Sequence, residues 1–338
     1  MLFEKLYHKL WKKVEKSKIK KGYRSADNSF DDIDCMYNLC YGSNPKNNTL
    51  DFHYVKGVQR KLPTIIIIHG GGYISGKKEG NDIYAKQLAD KGFCVINMEY
   101  TKCDNEDKKY FIDQIAEVYD MFDYIKKNKK IARHIDFNNI FLAGDSAGAH
   151  IASMVASIQT NKLLKNEFNL QDGLKIKGLI FVSPVFGPYG FGGLPMGKAF
   201  KNMVFGKNYK KEPTTKKLHT LNVMSKDFPP TIMFSAYNDF VAGPHKKLFC
   251  KKAIKLNIPL MHYTIKKGYK VFHDSLINFA DYYPKCMDKI SDFVNDLSNN
   301  VTLSGFKNEN ISEDKIIRIK TKAESETEKE PVLQENMN

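Results

Sequence analysis

The sequence predicts an α/β protein in which helices flank a mostly parallel central sheet. Strand-like and helix-like patterns alternate along most of the chain, as they do in repeated β-α-β units. Residues 64–68 form an unbroken β-branched run, which is typical of a strand buried on both faces. Residues 140–144 form a second apolar run, which leads through a glycine-containing turn into a helix of small residues. This order of strand, tight turn and helix belongs to the same fold class.

The individual elements follow from hydrophobic periodicity. Strands are expected where β-branched or apolar residues run together, at 36–42, 49–55, 64–68, 93–100, 140–144, 175–182, 231–236 and 259–265. Helices are expected where apolar residues recur at helical spacing, at 81–91, 108–127, 146–159, 244–256 and 275–297.

One long segment interrupts this alternation. Residues 186–227 separate two predicted strands and are rich in Gly, Lys and Pro, with scattered Phe, Met and Tyr. Connections of this length in a compact domain commonly serve a function. We therefore predict that they form an inserted lid on a domain that spans residues 31–304.

The two ends of the chain differ in composition from this domain. Residues 1–30 carry an apolar stripe at helical spacing opposite a lysine-rich face, which predicts an amphipathic basic helix. We favour a helix that packs on the domain, and weak contact with a membrane surface is the alternative. Residues 305–338 are dominated by charged and amide side chains, which predicts a disordered tail.

Composition argues against several classes of function. The net charge of +15 comes from lysines spread along all 338 residues, and no nucleic-acid-binding motif accompanies it, so no nucleic-acid partner is expected.

The six cysteines have no CxxC or regular spacing. With no signal-peptide pattern and no apolar run of the ~18 residues that span a membrane, a cytoplasmic location is expected. Metal-ligand clusters and nucleotide-binding loops are missing from the sequence, so neither a metal nor a cofactor is expected. Nothing in the sequence indicates an oligomeric state.

The pattern Gly144-x-Ser146-x-Gly148 marks a candidate nucleophile. It lies between the predicted strand at 140–144 and the predicted helix at 146–159. This is the context of a nucleophile elbow, in which a strained turn raises the serine hydroxyl above the sheet. Glycines on both sides remove the Cβ atoms that would clash in such a turn. We predict Ser146 as the nucleophile.

A glycine run upstream predicts an oxyanion hole. The segment His69-Gly70-Gly71-Gly72-Tyr73 directly follows the strand at 64–68. Backbone N–H groups aimed at a developing oxyanion lower the barrier to acyl transfer, and glycines let them approach without side-chain obstruction. We predict the amides of Gly71, Gly72 and Ala147 as donors. The alternative interpretation is a flexible glycine turn.

A serine nucleophile needs a base and an acid that orients it. Asp239 follows the strand at 231–236 and His273 follows the strand at 259–265. Both therefore lie at carboxyl ends of strands, where catalytic groups of α/β sheets converge. Among the rival bases, His245 falls at a helix start and His262 inside a strand, which favours a structural role or an exposed position for both. Asp274 is adjacent to His273 and is not expected to fold back onto the same imidazole.

Two further polar residues lie inside the motifs. Asp145 sits within the elbow, where a hydrogen-bonding brace is the expected role. His69 precedes the glycine run, a position that suits anchoring of the loop.

Together these residues resemble the α/β-hydrolase superfamily, and within it the hormone-sensitive-lipase-like and BD-FAE-like carboxylesterases. The resemblance rests on His69–Tyr73, Gly144–Gly148, Asp239 and His273 in this order, and it covers roughly residues 34–297. It implies an α/β-hydrolase fold and cofactor-free hydrolysis of small or short-acyl carboxylic esters by a Ser-His-Asp triad. The chain has Tyr100-Thr101-Lys102 where such esterases commonly have Tyr-Arg-Leu, so details of the substrate pocket do not carry over.

Two alternatives use the same architecture. The first is hydrolysis of an amide by the same triad, as in formamidases and peptidases. The second is a non-catalytic binding protein built on a hydrolase fold, although such proteins commonly lose a triad member and this chain retains candidates for all three.

Overall fold

Nine strands form one sheet in the computed structural model, which describes residues 30–104, 106–170, 172–187 and 195–313. In chain order they are β1 (Ile33–Cys40), β2 (Thr49–Val55), β3 (Leu62–Ile68), β4 (Cys94–Met98), β5 (Ile135–Asp145), β6 (Ile176–Val182), β7 (Thr231–Ala236), β8 (Leu260–Lys267) and β9 (Phe306–Ser312). Their spatial order is β1-β2-β4-β3-β5-β6-β7-β8-β9. Strand β2 runs antiparallel to both of its neighbours, and the other neighbouring pairs are parallel. The prediction of a mostly parallel sheet is confirmed.

Helices cover both faces of this sheet. They are α1 (Asp82–Asp90), α2 (Phe111–Lys127), α3 (Lys129–Ala132), α4 (Ala147–Gln159), α5 (Lys162–Glu167), α6 (Pro195–Phe205), α7 (Thr220–Val223), α8 (Gly243–Lys255), α9 (Ser275–Asn278) and α10 (Pro284–Ser298). Helices α1 and α10 pack on one face, and α2, α4 and α8 pack on the other. Within the described ranges, no helix is both long enough and apolar enough to cross a membrane.

Strand β3 shows why an unbroken apolar run suits the centre of this sheet. Successive side chains of a strand point to opposite faces. Ile65 and Ile67 pack in the core beneath α1 and α10, whereas Ile66 and Ile68 pack in the core beneath α2 and α4. All four side chains are buried. Hydrophobic burial on both faces therefore holds the strand whose end carries the glycine loop.

The single closing helix predicted at 275–297 is wrong in one respect. The segment is divided into α9, a 3₁₀ turn at Ala280–Tyr282, and α10. Pro284 lacks a backbone N–H and disfavours helical geometry in the residue before it, so it begins a new helix instead of continuing the old one.

The prediction of a disordered tail is wrong for its first part. Phe306–Ser312 forms β9, which pairs in parallel with β8 along the edge of the sheet. Its side chains are mostly exposed, so backbone hydrogen bonds and not a buried face hold it, and the composition gave no sign of them. Glu313 follows, and its carboxylate accepts hydrogen bonds from the amides of Lys285 and Cys286 in the first turn of α10. Residues 314–338 of the predicted tail and the predicted N-terminal helix lie outside the described residues.

The predicted insert lies between β6 and β7 and contains α6, a 3₁₀ turn at Pro213–Lys217, and α7. It packs on the helices of one face. The ring of Phe205 contacts that of Phe111 on α2 at 5.8 Å between centroids. The hydroxyls of Thr220 and Ser153 on α4 are 2.6 Å apart. Its role as a lid stays a prediction.

Candidate active site

Ser146 occupies a strained turn between β5 and α4. Its backbone has φ 47° and ψ −115°, a conformation that is uncommon for a residue with a side chain. The amide of Ser146 donates to the carbonyl of Val182 at 3.0 Å, and the amide of Val185 donates to the carbonyl of Ser146 at 3.2 Å. The end of the neighbouring strand β6 therefore holds the turn on both sides of the serine.

Gly148 is required by close packing under this turn. A Cβ atom at that position would lie 2.0 Å from the carbonyl oxygen of Ile68 and 2.6 Å from that of His69. Both oxygens belong to the backbone where β3 passes into the glycine loop, so neither can rotate away. The glycine brings the elbow and the glycine loop into direct contact.

His273 connects the candidate nucleophile with the candidate acid. Its Nε2 lies 3.0 Å from Oγ of Ser146. Its Nδ1 lies 3.0 Å from both carboxylate oxygens of Asp239. These contacts come from the ends of β5, β7 and β8. The structure therefore brings together the three residues that the sequence predicts as nucleophile, base and acid.

Asp239 is a buried carboxylate with several donors around it. Besides His273, its Oδ1 accepts from the amides of Val241 at 3.0 Å and Ala242 at 2.8 Å. Burial would by itself raise the pKa of Asp239, but His273, the Ala242 amide and the Ser183 hydroxyl outweigh it and lower the pKa below its usual value. Asp239 therefore remains ionised at neutral pH, as a group that stabilises an imidazolium must.

Asp274 also reaches the imidazole, contrary to expectation. Its Oδ2 lies 3.2 Å from Nε2 of His273. Asp274 adopts a left-handed backbone conformation with φ 59°, and this turns its side chain back toward the preceding ring. Its amide donates to the hydroxyl of Ser183 at 3.1 Å. Asp239 thus contacts Nδ1, and Asp274 contacts the nitrogen that faces Ser146.

Ser183 is a neighbour that the sequence reasoning missed. It sits at the end of β6 with φ 45° and is buried. Its hydroxyl accepts from the amide of Asp274, next to His273, and helps to lower the pKa of Asp239. A serine directly after a buried strand on the edge that carries the motifs was the available signal.

The glycine loop presents amides without partners. Gly71 has φ 126° and Gly72 has φ 60°, values that favour glycine. The Gly71 carbonyl accepts from the amide and hydroxyl of Ser75, which closes the loop on itself. In the described part of the chain neither Gly71 N–H nor Gly72 N–H donates a hydrogen bond. Ala147 begins α4, and the first N–H groups of a helix have no acceptor within it.

Asp145 braces the glycine loop. Its Oδ1 accepts from the amide of Gly70 at 2.9 Å and from the side-chain amide of Asn81 at 3.3 Å. The expectation of a hydrogen-bonding brace is correct, although the loop that Asp145 holds is the neighbouring glycine loop.

His69 anchors the other side of the loop. Its Nε2 lies 2.9 Å from Oε1 of Glu99, which also pairs with Lys102. The ring stacks on Tyr100 at 4.2 Å, and the Tyr100 hydroxyl donates to the His69 carbonyl. Burial would raise the pKa of Glu99, but His69 and Lys102 hold it well below its usual range. Lys102 belongs to the stretch that departs from the family pattern.

Neither rival base contacts Ser146 through any hydrogen bond of the described residues. His245 is buried, and its Nδ1 accepts from the amide of Phe186. His262 lies in β8, where its Nε2 is 2.8 Å from the hydroxyl of Ser235. Both therefore have structural roles, as the sequence indicated.

Comparison with known proteins identifies the family. The BD-FAE family model matches residues 50–250, which is more than half of the chain. The chain belongs to the BD-FAE family. The matched segment of this chain begins in β2, ends in α8, and includes the glycine loop, the elbow and Asp239.

Two relatives are similar over a shorter stretch. An isoprenylcysteine alpha-carbonyl methylesterase of Arabidopsis thaliana is 30% identical over 129 residues, covering 38% of this chain and 29% of that protein. Carboxylesterase 20 of the same plant is 30% identical over 135 residues, covering 38% of each. The chain therefore spans well under half the length of these curated relatives.

Solved structures establish the fold of this BD-FAE member. An inhibited esterase B of Lactobacillus rhamnosis has a TM-score of 0.77 and 21% identity, covering 89% of this chain and 98% of that one. An esterase of Pyrobaculum calidifontis has a TM-score of 0.60 and 17% identity, covering 88% and 94%. The predicted α/β-hydrolase fold is confirmed.

Proposed function

We propose that this protein is a serine hydrolase that cleaves carboxylic esters through Ser146, His273 and Asp239. One observation carries the proposal: a single imidazole lies 3.0 Å from the serine hydroxyl through Nε2 and 3.0 Å from a buried carboxylate through Nδ1. This arrangement assigns the tautomer, because Nδ1–H donates to Asp239 and leaves the Nε2 lone pair for the serine proton.

The first half of the reaction forms an acyl-enzyme. His273 Nε2 takes the Ser146 proton as Oγ attacks the ester carbonyl, and the carbonyl π electrons move onto oxygen. The tetrahedral intermediate collapses, the bond to the alkoxy oxygen breaks, and His273 returns the proton to the departing alcohol. Asp239 keeps its charge throughout and stabilises the imidazolium.

The second half releases the acid. Water loses a proton to His273 and attacks the acyl carbon, and Ser146 leaves with that proton. In both halves the oxyanion is stabilised by the amides of Gly71, Gly72 and Ala147, each donor contributing on the order of 10²–10³ in rate. The partnerless amides of the loop support this assignment.

We further infer that the substrates are small or short-acyl esters. Ser146 is 8% exposed, so the reacting atom lies below the surface. The insert also reaches the glycine loop, where the Phe200 ring lies 6.1 Å from that of Tyr73, and this supports a confined acyl site. Both relatives are named as esterases, and the name methylesterase supports an ester whose alcohol group is small.

The test compares wild type with Ser146→Ala on p-nitrophenyl esters of increasing acyl length. We expect turnover that falls as the acyl chain lengthens, and none above the uncatalysed rate in the variant. Circular dichroism of the variant serves as the control for folding. A fluorophosphonate probe should label wild type at Ser146 and leave the variant unlabelled. Turnover that survives in Ser146→Ala would refute the mechanism, and faster cleavage of a matched p-nitroanilide would favour an amide substrate.

A further inference from the structure

Exposed apolar side chains lie on the two loops that carry the candidate acid and base. All of them lie on the loops that follow β7 and β8. We call this group the apolar rim, and its members are Tyr237, Phe240, Val241, Tyr269 and Phe272. Phe240 is 91% exposed and Tyr237 is 58% exposed. Single exposed apolar residues are ordinary, but a group of them on one surface marks an interaction site.

Contacts between the loops hold the rim together. Asp239 and His273 join the two loops through their hydrogen bond, so Phe240 and Phe272, their chain neighbours, lie on adjacent loops beside the candidate site. Tyr237 donates its amide to the carbonyl of Ile265 at the end of β8. On the second loop, the Tyr269 ring stacks on Tyr282 at 4.2 Å. These contacts tie both loops to the rest of the domain, and the rim side chains stay at least partly exposed.

Lysines accompany the apolar rim. Residues 237–247 and 266–272 contain Lys246, Lys247, Lys266, Lys267 and Lys270. Asp239 is the one acidic residue in these two stretches, and it is buried and engaged with His273. Lys246 and Lys247 lie in α8, Lys266 and Lys267 end β8, and Lys270 lies on the second loop. The exposed charge that flanks the rim is thus positive.

Two of these lysines lie over the aromatic rings. Nζ of Lys266 is 3.9 Å from the centre of the Tyr237 ring, and Nζ of Lys270 is 4.7 Å from that of Tyr269. An apolar ring beneath an ammonium group can enter the headgroup region while the cation pairs with lipid phosphates. The apolar rings and the positive charges therefore occupy the same surface.

We propose that the apolar rim docks on an anionic lipid surface and turns the entrance of the site toward it. The positive charge of the lysines around the rim selects an anionic partner. Large exposed rings insert favourably at a water–lipid boundary, whereas a soluble anion would use the lysines and leave Phe240 without a role. This inference concerns the surface around the site and stands whether or not Ser146 is the nucleophile.

The test is sedimentation of the full chain with vesicles. One set consists of phosphatidylcholine, and the other is an equimolar mixture of phosphatidylcholine and phosphatidylserine. We expect partition into the mixed vesicles that weakens as salt is raised. Phe240→Ser should lower that partition about tenfold, because an inserted phenyl ring is lost. Lys270→Glu should lower it about fivefold or more, and only for the anionic vesicles.

Matched controls come from α5, where Leu163 is 79% exposed and Lys162 lies next to it. Leu163→Ser and Lys162→Glu make the same changes away from the rim and should bind as wild type does. Ser146→Ala should also bind as wild type does, which separates this proposal from the proposed chemistry. Wild type that stays in the supernatant with both vesicle sets overturns the proposal. So does wild-type binding by both Phe240→Ser and Lys270→Glu, which would assign the lipid contact to another segment such as residues 1–29.

Discussion

The phenol oxygen of Tyr73 lies 2.8 Å from Nδ1 of His150, and this contact ties the glycine loop to the helix that follows Ser146. Both residues are buried. Burial lowers the pKa of His150 well below its usual value, so the ring is neutral. The Tyr73 hydroxyl therefore donates to Nδ1 of His150, and this hydrogen bond links the glycine loop to the helix after the elbow without involving Ser146 or His273.

Replacing Tyr73 with Phe should destabilise the fold. The variant keeps the ring but leaves Nδ1 of His150 buried without this donor, which costs about 1–3 kcal/mol. The free energy of unfolding from urea denaturation measures the loss. Tyr237→Phe is the control, since that side chain is 58% exposed, and it should unfold as wild type does. Equal stability of the two variants would remove any role for the Tyr73 hydroxyl.

Asp239→Asn should abolish most turnover while preserving the fold. The asparagine oxygen can still accept from the amides of Val241 and Ala242, but the charge that stabilises the imidazolium is gone. We expect kcat to fall by about 10⁴-fold, as in triads with this change. Asp274→Asn is the matched control, because Asp274 contacts Nε2 and not Nδ1. A larger loss in Asp274→Asn than in Asp239→Asn would transfer the role of the acid to Asp274.

Gly148→Ala should be poorly tolerated. Its Cβ would lie 2.0 Å from the Ile68 carbonyl oxygen, so α4 must move away from β3 at a cost of about 1–3 kcal/mol or more. Gly243→Ala is the control, because no heavy atom lies within 4 Å of the added Cβ there. Thermal unfolding should show a clear loss of Tm for the first variant and little change for the second. A Gly148→Ala protein with the Tm of wild type would contradict the close packing of α4 against β3.

His262 should make the protein less stable in mild acid. Burial lowers its pKa to about 4 from the ordinary 6.5. Between these values the unfolded chain binds a proton that the folded chain does not. Stability therefore falls as pH drops from about 6.5 toward 4, by on the order of 1–3 kcal/mol, and is unaffected by this group at pH 7 and above. Urea denaturation at pH 7 and pH 5 should show a smaller pH dependence for His262→Gln. An identical dependence in both proteins would exclude this contribution.

Much of the site could be predicted from local patterns. The glycine run and the elbow each occupy a few consecutive residues next to a strand, so their backbone chemistry is legible in the sequence. Asp239 and His273 were predicted from their positions after strands, because parallel strands bring their carboxyl ends to one edge of the sheet. The contacts of Glu99 and His150 could not be predicted this way, since each acts through a partner that is distant in the chain. Ser183 lies at the same edge, and its position after β6 was a signal, but its contact with Asp274 was not predictable.

The predictions for the start of the tail and for Asp274 are wrong because both features depend on the backbone. Phe306–Ser312 is held by backbone pairing with β8, and backbone hydrogen bonds leave little trace in side-chain composition. Asp274 reaches His273 because its φ is 59°, and adjacency in sequence does not reveal that torsion.

The fold class, the elbow around Ser146 and the glycine loop are encoded locally, because hydrophobic periodicity and glycine placement are properties of short stretches of chain. Packing of the folded chain selects the imidazole that faces the serine and the carboxylate that contacts each of its nitrogens. It also selects the apolar side chains that remain outside the core. Those outcomes depend on how distant strands align in the sheet and on the torsions of the loops between them, and both are products of packing.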